Sequence, residues 1–256
     1  MKDFTLEAYQ LYLKILISNK YSFLRFQDYI KNNNSTNIKT CLIRHDVDRK
    51  AMNALNMAKL ESSLGVISSY YFRTKRSSFN VEIIKEIAKL GHEIGYHYEC
   101  LSDTNGDMGK ALKLFETELV NFRKIVPINT ISMHGRPFSK FDNRDIWRDS
   151  KNHSYLKSKL DILGELYIDI DYSNIAYIND TGRNWTSTKN NVRDKVASEV
   201  HTNFSNAKEM QSFLKNSTAN KIVFQIHPER WTDSKMEYLT QHLKDNSINF
   251  IKKLLN

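Results

Sequence analysis

Asp46 and Asp48 close the stretch Leu42-Ile43-Arg44-His45-Asp46-Val47-Asp48. The short apolar run that leads into it reads as a buried parallel strand. In extended chain, side chains two apart project from the same face. Two carboxylates held that close repel each other unless a cation or a shared proton lies between them. The carboxyl ends of strands are where α/β proteins place their chemistry, so the pair reads as half of an active site. Histidines are positioned to supply the other half. His45, His97, His134 and His227 each fall at the predicted C-terminal end of a separate strand. One such histidine is ordinarily structural; four at equivalent places beside two acids point to a shared site. Imidazole nitrogen with carboxylate oxygen is the ligand set of catalytic zinc and related divalent ions. Such an ion activates water and polarises a carbonyl.

The elements that would carry these residues alternate. Thr5 reads as the N-cap of a helix with the stripe Leu6, Tyr9, Leu13, Leu16. A second short helix is expected through Phe23, Phe26, Tyr29 and Ile30, ending at the polar tract from Lys31 to Thr36. After the first strand, Ala51, Ala54, Leu55 and Ala58 form a small-residue helix face with Gly65 as its stop. Val66 to Arg73 is rich in β-formers. Asn80 caps a helix carrying Ile83, Ile84 and Ile87 that stops at Gly91, and Glu93 to Glu99 is a third strand. A helix over about 110–125 precedes the strand Thr130 to His134. The alternation is that of a parallel sheet or barrel. Further on, Asp142 to Trp147 reads as a helical turn, Glu165 to Asp171 and Ile175 to Ile178 as strands, and Thr181 to Thr188 as a loop. A helix from Asn206 to Leu214 leads into the strand Lys221 to His227, and the tail from Asp233 to Leu255 is helical with the stripe Met236, Leu239, Leu243. Pro137 and Pro228 read as rigid exits from strands. No repeat or linker divides the chain, so one domain over 1–256 is expected, with a helical segment at about 1–36.

Composition narrows the classes. The 256 residues suffice for a sizeable core, and three prolines with 40% hydrophobic residues exclude long disorder. The net charge is +9, but the lysines are scattered, which reads as a solvated surface rather than a nucleic-acid footprint. Cys41 and Cys100 have no zinc-ligand spacing and form no disulfide framework; Cys41 is expected as a buried free thiol. The N-terminus lacks a continuous apolar segment, and no span approaches roughly 18 apolar residues. The expectation is a soluble, cytoplasmic protein that binds no nucleic acid and has no transmembrane segment.

Three ordered motifs resemble the polysaccharide deacetylase superfamily, the carbohydrate esterase group with the NodB homology domain. They are Arg44-His45-Asp46-Val47-Asp48, Gly91-His92-Glu93-Ile94-Gly95-Tyr96-His97 and Phe224-Gln225-Ile226-His227. The opening RHDVD resembles the branch found among bacterial surface-polysaccharide biosynthesis proteins. The resemblance covers about 39–231 and implies an α/β fold, a distorted (β/α)7 barrel. It implies a metal-dependent hydrolase that removes an acyl group, N-acetyl above all, from a sugar of a surface polysaccharide or its precursor. The partner is then a carbohydrate and the cofactor a divalent metal, with zinc first.

Carried over by position, Asp46 is the general base, Asp48 and His97 are metal ligands, and His227 is the general acid. Val47 separates two acids that adjoin in the family. The family's second ligand histidine would stand four residues after His97, and that position is Leu101. A third ligand must come from elsewhere: His134 first, then Glu99, then His45. Arg136 sits where the family has an arginine that orients the base. Arg73, Glu99, Asp169, Asp171, Arg183 and Trp185 are candidate substrate contacts, and Asp180 with Arg183 and Trp185 is expected on a loop over the sugar. Hydrolysis of a non-sugar, cyclic amide and a non-catalytic binding protein on the same fold are the rival readings.

Overall fold

The computed structural model describes residues 2–32, 38–136, 138–183, 185 and 193–255, with side chains to residue 251. Part of the polar tract after Lys31, Pro137 and half of the expected 181–188 loop lie outside the described residues. In chain order the elements are α1 (Leu6–Ser18), β1 (Ser22–Leu24), α2 (Phe26–Lys31), β2 (Thr40–Val47), α3 (Ala51–Ser63), β3 (Ser69–Phe72), α4 (Val81–Lys89), β4 (Glu93–Tyr98), α5 (Cys100–Asp103), α6 (Met108–Arg123), β5 (Thr130–Met133), α7 (Asp145–Arg148), α8 (Ser150–Ser158), β6 (Gly164–Glu165), β7 (Ala176–Asn179), α9 (Ala207–Asn216), β8 (Lys221–Ile226) and α10 (Lys235–Leu255).

Seven parallel strands run in the order β6-β5-β4-β3-β2-β8-β7, and the short β1 pairs with the start of β2. Strands β2 to β6 follow one another around the curve, while β8 returns beside β2 and brings β7 with it. Among the described residues β6 and β7 do not pair, so the sheet is a distorted (β/α)7 barrel with one open seam. Leu166, Ile170, Tyr172 and Ile175, from the connection between those strands, pack with Leu42, Tyr71, Tyr177 and Val223 and fill the interior at the seam.

Alternation along the strands explains where the polarity goes. On β2, Cys41, Ile43 and Val47 join the apolar layers under the helices, whereas Leu42, Arg44 and Asp46 point inward. Most of the inner face is polar: Arg44, Glu93, Thr130 and Gln225 are buried there and hydrogen-bonded to their neighbours across the barrel. Gly95 belongs to this face for a steric reason. A Cβ there would lie 2.2 Å from the Tyr71 ring, so only glycine lets that ring cross β4. Gly91 ends α4 with φ +94°, the left-handed stop expected of it.

Several expectations shift. The stretch 165–171 is strand only at Gly164–Glu165 and then turns, because Asp169 folds back to accept from the Glu165 N–H at 2.7 Å. The helical turn near Trp147 continues into α8, capped by Asp149. On α10 the stripe Met236, Leu239, Leu243 faces outward, and the polar side carrying Gln241 and Asp245 is buried. Cys41 and Cys100 are buried free thiols. Among the described residues, no helix is long and apolar enough to cross a membrane.

The outer face of β2 carries a second polar knot. His45 turns away from the barrel interior and meets Glu61 of α3 at 2.6 Å. Glu61 also accepts from Tyr9, Ser68 and Tyr70 hydroxyls. Burial alone would raise this carboxyl, but His45, with lesser help from His92 and Ser68, holds it down at about 2. Its folded value is below the ordinary 4.5, so the stability it contributes is complete above about 4.5 and is lost as pH falls from there through about 2. Glu61→Leu is expected to lower the unfolding free energy at neutral pH by about 3–5 kcal/mol and to flatten the acid limb. Urea unfolding at neutral pH and through the acid range checks both.

Candidate active site

The carboxyl ends of β2, β4 and β5 bring three side chains together. His97 ends β4 and is in register with Ser132 of β5, so His134, two residues on, rises beside it. Asp48 follows β2. Asp48 Oδ1 lies 3.0 Å from His134 Nδ1 and 3.5 Å from His97 Nε2, and the two ring nitrogens are 3.2 Å apart. His97 Nδ1 donates to the Ser132 carbonyl at 2.9 Å, which leaves the Nε2 lone pair facing the group. Burial opposes ionisation of Asp48, but His134 and His97 hold its carboxyl well below the usual range.

These three residues fit a divalent cation. Ligand bonds of about 2.0–2.2 Å in tetrahedral geometry separate ligand atoms by roughly 3.3–3.6 Å, close to the spacings here. Asp48 Oδ1 is buried and makes no hydrogen bond, although two imidazole nitrogens are near it. The three ligand atoms all lie within 4.8 Å of one another, so one ion could reach all of them. Asp48, His97 and His134 are the one such group found among the described residues.

Asp46 sits beside this group with a different set of partners. Arg44, two residues earlier on the same inner face, binds it through both Nε and Nη2 at 2.7 Å, and Gln225 Nε2 donates to it at 2.7 Å. Arg44 is wholly buried and stacks on the Tyr167 ring at 4.5 Å. Burial works against the Asp46 charge, yet Arg44 and then His97 lower the carboxyl to about 2. Asp46 Oδ2 is 3.9 Å from His97 Nε2, so it borders the triad without entering it.

On the other side of the mouth stands His227, at the end of β8. Asp180, fully buried after β7, accepts from His227 Nδ1 at 2.6 Å and from its backbone N–H at 2.9 Å. It also accepts from Arg230 Nη1 at 2.9 Å and Trp231 Nε1 at 2.8 Å. Burial and Arg230 both disfavour a charged His227, but Asp180 outweighs them and raises the imidazole to about 9. Between the two sides is a cleft of about 160 Å³, lined by Asp46, Asp48, His97, His134, His227 and Arg73 among others. Asp245, Ile248 and Asn249 of α10 form part of its wall.

The remaining candidates fall elsewhere. Arg73 lines the cleft, but Glu99 lies behind it, holding Arg73 Nε and Nη2 at 2.8 and 2.6 Å, and so contributes position rather than contact. Arg136 pairs with Asp103 at 2.7 Å and does not reach Asp46; Arg44 does what was expected of it. Asp169 meets His153 and Lys157 at the foot of β6, and Asp171 is an exposed turn cap for Ser173. Arg183 donates to the backbone carbonyls of Tyr238 and Arg230. Trp185 is buried, stacked on Phe4, with its Nε1 bonded to Asp3; neither it nor Arg183 is among the residues lining the cleft. Asp180 is under His227 rather than on a covering loop. His45 points out of the barrel. Leu101 is buried on α5 because the chain turns into a helix immediately after Glu99. The partners missed from sequence are Arg44, Gln225 and Arg230. Arg44 shares the parity of Asp46, and that signal was available; Gln225 and Arg230 depend on cross-barrel pairing.

No family model matches the chain, and no curated protein matches it. Solved structures similar to it include a CE4 family pseudoenzyme from Bacillus anthracis, at 10% identity over 83% of this chain and 62% of that one, TM-score 0.43. The chain thus spans less than two thirds of that protein's length. A Bacillus subtilis family 4 carbohydrate esterase, PdaA, is similar at 11% identity over 86% and 82% of the two chains, TM-score 0.44. A family 4 carbohydrate esterase from Bacillus anthracis is similar at 10% identity over 87% and 84%, TM-score 0.42. At such values these likenesses carry no weight for the chemistry, which rests on the geometry.

Zn²⁺ added to chelator-treated protein is expected to raise its melting temperature, equivalent to about 2.7 kcal/mol at a hundredfold excess over Kd. Alanine at Asp48, His97 or His134 should abolish the rise; differential scanning fluorimetry reads it.

Proposed function

We propose that the protein is a metal-dependent hydrolase that removes an acyl group, N-acetyl first, from a sugar of a bacterial surface polysaccharide or its precursor. One observation carries this reading. Asp48, His97 and His134, the Asp46 carboxyl and the His227 imidazole line one cleft, and Asp46 and His227 are each held by partners of their own.

Asp48, His97 and His134 would hold the cation. When bound there, a divalent ion supplies Lewis-acid polarisation of water and of an acyl carbonyl. Asp46 takes the proton of the attacking water. Arg44 and Gln225 keep its carboxylate in one orientation, so no reorganisation is needed as the proton arrives. His227 is protonated at neutral pH and donates its Nε2 proton to the leaving nitrogen. Asp180 holds the ring by its Nδ1–H and steadies the charge before transfer. Arg73 offers a cation at the rim, fixed by Glu99.

Acetate release from N-acetylated sugars by zinc-loaded protein is the direct test; no release from any acylated sugar would remove the reading. Asp46→Asn should cut kcat by about 10²–10⁴-fold. The acid must be protonated, so activity is expected to hold below about pH 9 and fall above it, following His227. Asp180→Asn removes what raises that imidazole and should move the alkaline limb down toward the ordinary histidine value of 6.5. A pH–rate profile of the two proteins measures this.

A further inference from the structure

The reading above leaves one wall of the cleft without a role. Glu229 follows His227 and Pro228 in the turn after β8 and is wholly buried in that wall. Neither of its carboxylate oxygens makes a hydrogen bond. Other buried acids in this protein are well supplied. Glu61, Glu93, Glu165 and Asp180 each accept from several donors. Among the described residues, Glu229 is the one fully buried carboxylate with both oxygens unbonded. Its nearest cation is Arg49, whose Nη2 is 3.4 Å from Oε1. The Nε–H groups of Arg49 and Arg230 are buried without an acceptor, and Oδ1 of Asn249, a cleft-lining residue of α10, is buried without a donor. Burial, then Asp48, raises the Glu229 carboxyl above its ordinary range. An unbonded buried polar atom keeps the full cost of its lost hydration, and such atoms are few in native proteins. Five of them on residues lining one cleft, besides the Asp48 Oδ1 already assigned, form a polar wall that lacks its counterpart.

The counterpart can be read from the inventory. Three acceptor atoms and two N–H donors call for a ligand rich in O–H donors that also offers oxygens. We infer that Glu229, with Arg49 and Asn249, forms a sugar subsite in which the carboxylate accepts from two adjacent ring hydroxyls and Arg49 Nε–H donates to one of their oxygens. This rests on the proposed carbohydrate substrate and adds which part of the sugar is recognised: a neutral vicinal diol, held on the His227 side of the cleft away from the three-ligand group. A site that hydrogen-bonds a hydroxyl discriminates strongly against an analogue lacking it, because its own groups are then left unpaired.

Isothermal titration of N-acetylglucosamine, N-acetylgalactosamine and the 3-deoxy and 4-deoxy forms of the former into the full chain tests it. The intact protein should bind at least one of the two parent sugars and lose about tenfold or more with a deoxy analogue, as expected for hydrogen bonds to a charged group. Glu229→Gln should weaken the parent sugar by a similar factor and respond little to the deoxy change, since the partner of the missing hydroxyl is already altered. Arg49→Lys keeps the charge and removes the Nε–H; being partly exposed, it serves if Glu229→Gln does not fold. Parent binding unchanged in the variant, an undiminished deoxy loss in it, or no binding of either sugar by the intact protein overturns the subsite. Binding is read without turnover, so the two claims separate. Sugar held through Glu229 with no acetate released would sink the hydrolase alone. Acetate released by a protein whose Glu229→Gln variant binds sugar normally would sink the subsite alone.

Discussion

A guanidinium lies inside a barrel, with no solvent to receive it. Arg44 is fully buried, and a charge so placed is tolerable only when paired and hydrogen-bonded. Asp46 supplies both, two residues along the same strand face, and Gln225 and Tyr167 complete the enclosure. The pair ties Asp46 to the interior wall, so its carboxylate has one orientation at the mouth. Removing either partner strands the other charge. The group read as the base is thus also the counter-ion that lets the interior be polar.

The same strand is pinned from its other side. His45, between Arg44 and Asp46 in the chain, meets Glu61 under α1 and α3. Two buried polar pairs of opposite facing, one residue out of phase, resist any slip of β2 in register. A slip by one residue would exchange the faces and break both. β2 is also the strand through which the curved sheet joins its two halves, pairing with β3 on one side and β8 on the other. This places Asp46 and Asp48 between the histidines of β4 and β5 and the histidine of β8.

Around that strand the mouth divides into two electrostatic halves. Asp48, His97 and His134 have ligand atoms within 4.8 Å of one another and would accept a cation. His227 faces them with its charge stabilised by Asp180, which is held in turn by Arg230 and Trp231. Opposed acid and base character across a narrow cleft is what amide hydrolysis requires. α10 closes the remaining side through Asp245, Ile248 and Asn249 and turns its apolar stripe outward. The periodicity of Met236, Leu239 and Leu243 was legible, but not which side would face the protein.

Local pattern alone determined a good deal. The alternation of strand and helix, the stops at Gly65 and Gly91, the parity of Asp46 with Asp48, and the histidines at strand ends are all properties of neighbouring residues, and short-range stereochemistry governs them. The tertiary structure decided which of these meet. His134 stands beside His97 because β4 and β5 pair in one particular register, and His227 faces them because β8 returns next to β2. Arg136, two residues after the strand-end His134, pairs with Asp103, while Arg44 takes the place by Asp46. Trp185 and Arg183, expected on a loop over the sugar, are packed against Phe4 from the far end of the chain. Asp180 lies beneath an imidazole and not above a ligand. Periodicity is set by bonds between adjacent residues and survives in the sequence. Partnership across the barrel is set by sheet closure and side-chain burial, which no local stretch encodes.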